Sequence, residues 1–230
     1  MQALGSLLFT LFMIAWTLFY AILFVLVGGL MSLPKRFGFI AFYAHCMLGG
    51  LRLLCRLDYT VEGLQNIPDE PHVALWKHSS AWETFAQFLL GPPKVLVLKR
   101  ELMWIPFFGM GLALLHSIAI DRRAGASAVN QVVDRGRTRL AEGLSVLIFP
   151  EGTRVAPGSR PPLQSGFAGL YKLINLPVVP IAVNSGTLSP RKTGIWKSGT
   201  ITYKVGEELP TGLPREEIEA RVHAAINALN

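Results

Sequence analysis

A histidine and a carboxylate can together take a proton and hold the charge that results, and Lys77-His78-Ser79-Ser80-Ala81-Trp82-Glu83 carries one of each, five positions apart. The apolar run VALW before them reads as a strand, Ser79 or Ser80 as a helix N-cap, and AWETFAQFLL as the helix that follows. His78 then sits at the carboxyl end of a strand and Glu83 in the first turns of a helix. Chain reversal between them can bring the two side chains together. A carboxylate so placed orients an imidazole and stabilises it once protonated, which is the base and orienting partner of a triad without its serine nucleophile. Each residue also has a plainer explanation. A histidine at a strand end is often only a hydrogen-bonded structural residue, and a carboxylate near a helix N-terminus is favourable by itself.

A second group lies in LSVLIFPEGTR, residues 144–154. An apolar strand ends at Pro150, and Glu151, Gly152, Thr153 and Arg154 form a turn that gathers a hydroxyl, backbone amides and a guanidinium. Glycine lets backbone approach an oxyanion closely, and arginine offers a planar fork to phosphate. The alternative is a surface turn with an incidental Glu-Arg pair. SIAIDRR brings Arg122 and Arg123 to another strand end, and two strands delivering arginines to their carboxyl ends suggest a shared phosphate-binding edge. Lys99 also ends a strand. It opens KRELMWIPFFG, whose apolar, tryptophan-containing stretch would touch an acyl chain or belong to the core.

The elements that must position these groups alternate along the chain. Seven β-rich runs are present: YTVEG, HVALW, VLVLK, SIAID, LSVLIFP, VVPIAVN and TITYKVG. Several are continuously apolar, as strands covered on both faces are. Between them lie segments of helical length, SAWETFAQFLL, WIPFFGMGLALL, SAVNQVVDRGRTRLAEG and SGFAGLYKLINL, and PREEIEARVHAAINAL closes the chain with Ile218, Val222, Ala225, Ile226 and Leu229 on one face. This pattern predicts an α/β domain over 58–230, with a mixed, largely parallel sheet of seven strands flanked by helices. RVAPGSRPP, residues 154–162, reads as a loop.

Residues 1–57 are different. No Asp, Glu, Lys or Arg occurs from Met1 through Pro34, and the apolar run there is long enough to cross a hydrocarbon core of about 30 Å as a helix. It lacks the basic start and cleavage site of a secretory signal, and Lys35 and Arg36 after it point its C-terminal end to the cytoplasm. FGFIAFYAHCMLGGL follows, short for a span, and suits an interfacial helix or the second arm of a hairpin. The prediction is therefore a two-helix membrane motif. The formal charge of +7 fits an anionic lipid surface better than nucleic acid in such a chain, although Arg135, Arg137 and Arg139 are equally well read as a solvated face. Cys46 and Cys55 have no metal-ligand spacing and are expected to be reduced thiols.

Four blocks in this order resemble the glycerolipid acyltransferase family, of the 1-acylglycerol-3-phosphate acyltransferase type: HSSAWE, GLALLHSIAIDR, FPEGTR and VVPIAVNSG, with KRELMWIPFFG between the first two. The resemblance covers residues 73–186. It implies that His78 is the base and Glu83 its partner, and that Arg122, Glu151, Gly152, Thr153 and Arg154 belong to the acceptor site, with Pro180 in the fourth block and Lys99 also on the substrate side. It implies direct acyl transfer from acyl-CoA or acyl-carrier protein to a lysophospholipid hydroxyl, with no resident cofactor, at the cytoplasmic membrane. One position departs from the pattern: the usual aspartate is Glu83, longer by one methylene, about 1.5 Å of reach. That departure keeps acylation of another lysolipid, such as lyso-ornithine lipid, as an alternative. A membrane-bound phosphatase or hydrolase would require a nucleophile or metal carboxylates beside His78, and a non-catalytic adaptor would have no use for the His78–Glu83 pair.

Overall fold

A computed structural model describes residues 2–164, 166–189 and 194–230, the side chains of Arg122 and Ala126 excepted. Two long helices, α1 (Gln2–Gly28) and α2 (Leu33–Cys55), precede an alternation of strands and helices: β1 (Leu57–Glu62), β2 (Val73–Trp76), α3 (Trp82–Ala86), β3 (Lys94–Lys99), α4 (Phe108–Leu114), β4 (Ile118–Ile120), α5 (Ala126–Ala141), β5 (Ser145–Ile148), α6 (Phe167–Ile174), β6 (Val178–Val183), α7 (Ser185–Leu188), β7 (Gly199–Val205) and α8 (Arg215–Ile226). The seven strands make one sheet in the order β1-β7-β6-β2-β5-β3-β4. Every neighbouring pair is parallel except β6 and β7. All seven apolar runs became strands, in the expected mixed, largely parallel sheet.

Alternate residues of each central strand face opposite layers. Ala74 and Trp76 of β2 join a core with Phe9, Tyr20 and Met47 of the N-terminal helices, whereas Val73 and Leu75 join one with Val132, Ile174 and Ile218 from α5, α6 and α8. The boundary expected after residue 57 falls one residue into β1, and the first of these cores runs across it. The arginines of α5 are spent on structure: Arg135, Arg137 and Arg139 donate to the carbonyls of Ala119, Leu173 and His116.

α3 is shorter than its sequence suggests. It ends at Ala86, and the buried Lys94 side chain bonds the carbonyls of Gln87 and Leu90 beyond it. The 100–110 segment, which admitted a core reading, is largely at the surface. Trp104 is 69 % exposed and Met110 55 %. Phe107 is held at φ 59° there, a left-handed conformation costly for a side chain of this size.

Both helices of the N-terminal pair are long and apolar enough to cross a membrane. α1 is the longer of the two. At about 1.5 Å per residue it is about 40 Å long, and both of its ends rest on the sheet domain. Near one end the Ser6 hydroxyl exchanges hydrogen bonds with the backbone of Trp196, and Phe9 packs edge-on against that indole at 5.2 Å. Gly5 lies so close to the Leu54 carbonyl that no side chain would fit between them. At the other end Arg36 donates to the carbonyls of Gly28, Met31 and Leu114 at 2.8, 3.0 and 3.1 Å. The outward face of α1 is nevertheless apolar, with Leu4, Leu11, Ile14, Leu18 and Leu26 each more than half exposed.

Candidate active site

The carboxyl ends of the parallel strands gather the predicted chemistry. β2 ends at Trp76, and the next residues turn across the strand end into α3. His78 Nδ1 lies 3.4 Å from Glu83 Oε2. That separation is an electrostatic contact and not a hydrogen bond, and this buried nitrogen has no hydrogen-bond partner among the described residues. The imidazole stacks on Phe149, ring centroids 4.0 Å apart. Its own backbone is held on both sides: His78 N–H donates to Glu151 Oε2 at 3.0 Å, and its carbonyl accepts from Val155 N–H at 2.7 Å.

Glu83 is 0 % exposed. Its carboxylate accepts the Ser80 N–H at 3.0 Å while the Ser80 hydroxyl accepts the Trp82 N–H, the reciprocal bonding of a helix-start motif. The plainer reading of Glu83 as a helix-terminal charge therefore holds alongside its contact with His78. The Ser185 hydroxyl also donates to Glu83 Oε1, and the Ser80 hydroxyl donates to Ser185 Oγ. Ser185 was not anticipated, although it lies in the fourth block, VVPIAVNSG. It receives the carboxylate that the extra methylene carries further from α3.

The turn after β5 sits against this pair. Gly152 has φ 71°, and a Cβ there would come within 2.9 Å of the Gln164 side chain, so the turn requires glycine. Thr153 and Arg154 are exposed. Glu151, expected at the acceptor site, is instead buried with both oxygens engaged, one by the His78 N–H and the other by Lys77 Nζ at 3.2 Å. It reaches the site from beneath, through the histidine's backbone. Lys77 was not anticipated either, and it too is buried, 1 % exposed. Removing one partner of such a buried pair costs about 3–5 kcal/mol.

The remaining predicted residues lie further out. Lys99 is exposed at the end of β3, beside Arg100, which pairs with Asp121 at 2.9 Å. Arg122 begins the short 3-10 turn after β4, at the same end of the sheet, but its side chain lies outside the described ones. Pro180 lies buried within β6, level with Leu75 of β2, and its carbonyl is taken by the Gly206 N–H at 2.8 Å.

An almost wholly apolar cavity of about 200 Å³ opens next to α3. Thr84 and Phe85, directly after Glu83, line it together with Tyr20 and Phe24 of α1, Leu98 of β3 and Phe108 of α4. The sequence held no sign of it, because its walls come from five separate elements.

Residues 58–184 match the family model described as acyltransferase. A 1-acyl-sn-glycerol-3-phosphate acyltransferase of Pseudomonas aeruginosa is 38 % identical over 208 residues, covering 89 % of this chain and 80 % of that protein. The human 1-acyl-sn-glycerol-3-phosphate acyltransferase alpha is 29 % identical over 76 % of this chain and 63 % of its own length, and that of Limnanthes alba is 30 % identical over 70 % and 56 %. The chain thus spans most of the bacterial relative but little over half of the eukaryotic ones. The crystal structure of the 1-acyl-sn-glycerophosphate acyltransferase of Thermotoga maritima has the same fold, with a TM-score of 0.81 and 22 % identity over 99 % of this chain and 93 % of that one.

Proposed function

This chain belongs to the acyltransferase family, and we propose that it transfers a fatty acyl group from acyl-CoA or acyl-carrier protein to the free hydroxyl of 1-acylglycerol-3-phosphate, yielding phosphatidic acid. The observation that carries this reading is the His78–Glu83 pair at the end of β2, set between the 151–154 turn and an apolar cavity. Glu83 faces Nδ1 of the imidazole, which leaves Nε2 to meet the acceptor. His78 takes the hydroxyl proton as the oxygen attacks the thioester carbonyl; the carbon–sulfur bond breaks, and the leaving thiolate recovers that proton from the imidazolium. The acceptor's own oxygen is the nucleophile, so no acyl-enzyme forms. Arg154, with Arg122, binds the acceptor phosphate, which brings the hydroxyl to His78. The cavity beside α3 takes an acyl chain.

The same reading extends to the membrane. The apolar outer faces of α1 and α2 and the exposed Trp104 segment enter the cytoplasmic leaflet, α1 lying along it, while Lys99 and Arg100 meet anionic headgroups. Purified full-length protein in vesicles, supplied with radiolabelled acyl-CoA or acyl-carrier protein and either lysophosphatidic acid or lyso-ornithine lipid, tests the proposal. Labelled phosphatidic acid is the expected product. Label in free fatty acid alone, released phosphate, or acylation of lyso-ornithine lipid in preference to lysophosphatidic acid would overturn it.

A further inference from the structure

The proposed base is the end of a buried chain of polar contacts that starts at the opposite terminus of the sequence. Lys77 Nζ has three acceptors: Asn227 Oδ1 at 2.6 Å, Glu151 Oε1 at 3.2 Å and the Ser159 carbonyl at 3.5 Å. Asn227 follows α8 and is 3 % exposed. Its amide is engaged at both ends, since Nδ2 donates to the His223 carbonyl at 2.7 Å and Oδ1 also accepts from Asn230 Nδ2 at 2.8 Å. Asn230 Nδ2 donates in turn to the Ser159 carbonyl at 3.0 Å, and Arg160 donates to the Asn230 carbonyl at 3.2 Å, so the end of α8 also grips the 154–162 loop. From Glu151 the path runs to the His78 N–H.

We propose that Lys77 and Asn227 are positioning residues for acyl transfer: the buried ammonium ties the end of α8 to Glu151 and thereby fixes the backbone of His78. None of the three side chains reaches solvent, so none can touch a dissolved or membrane-borne substrate. A buried carboxylate without its cation does not keep its geometry, because it must recruit water, take up a proton or move. Any of these displaces the His78 N–H bonded to it. A misplacement of about 1 Å at a reacting group can cost about 100-fold in rate. This inference rests on the reading of His78 as the base.

The test compares full-length proteins carrying Lys77→Met, Glu151→Gln, both changes together, or Asn227→Ala, alongside His78→Ala. Lys77→Met is expected to lower kcat by about tenfold or more, with donor and acceptor KM within about twofold of the parent. The double variant, a neutral pair of the same size in which glutamine still accepts the His78 N–H, is expected to exceed Lys77→Met in kcat by at least about threefold. Asn227→Ala should lower kcat by about threefold to tenfold, again without moving either KM. It introduces no unbalanced charge and decides the matter if the single charge variants fail to fold. Losses that simply multiply in the double variant, an unchanged kcat in Asn227→Ala, or a change confined to KM would overturn the proposal. Such a result with His78→Ala inactive leaves the base reading standing. Retained activity in His78→Ala overturns the base reading, and the proposal falls with it.

Discussion

At the scale of single residues the site contrasts one half-open imidazole with a fully enclosed carboxylate. His78→Ala should lower turnover by about 100-fold to 10,000-fold, the range of a general base, without changing the thermal melt. Glu83 separates orientation from charge. Glu83→Gln should lose most activity because the imidazolium loses its counter-charge, whereas Glu83→Asp should retain measurable turnover. Initial rates at saturating donor check both, and free substitution by glutamine would leave Glu83 only its role at the helix start. That the side chains of His78 and Glu83 meet was legible in the sequence, because they lie five positions apart at a strand-to-helix turn. Ser185, Lys77 and Asn227 were not. Ser185 meets Glu83 across 102 residues and Asn227 meets Lys77 across 150, and separations of that size leave no trace in local spacing. The one available signal was a lysine placed directly before the histidine in an otherwise apolar strand end.

At the scale of elements, continuously apolar runs announced the central strands β2, β5 and β6, since a strand covered on both faces must be apolar throughout. Strand order and the single antiparallel pair, β6 with β7, were not legible, because pairing depends on contacts between distant segments. The carbonyls just beyond α3 are bonded by Lys94, whose side chain had no assigned purpose in the sequence. Burial lowers the Lys94 pKa to about 7 from its usual 10.5. The unfolded chain therefore binds more protons than the folded one between about pH 7 and 10.5, and stability gains from this lysine as pH rises through that window. Thermal melts of the parent and Lys94→Met should thus diverge in the parent's favour between pH 7 and pH 10. A constant difference across that range would mean that Lys94 keeps an ordinary pKa in the fold.

At the scale of the whole molecule, the N-terminal pair is part of the sheet domain's core as well as its apolar exterior. Composition alone made α1 long enough to span, and the proposal that it lies along one leaflet starts from its attachment to the sheet domain at both ends. Gln2→Cys and Ser32→Cys, each in a Cys46→Ser/Cys55→Ser background, should be labelled by an impermeant maleimide from the same face of sealed vesicles. Labelling of Gln2→Cys and Ser32→Cys from opposite faces would make α1 a span. The three bonds of Arg36 to the carbonyls of Gly28, Met31 and Leu114 have one more consequence. They bolt α1 to the far end of α4, and both helices line the apolar cavity. If this cavity takes an acyl chain as proposed, walls tied together in this way would admit it by threading, tip first, and its mouth would discriminate by width before its depth discriminates by length. In competition, an acyl thioester with a mid-chain methyl branch should be used far more slowly than its straight isomer of equal carbon number, and equal use would mean that the walls part.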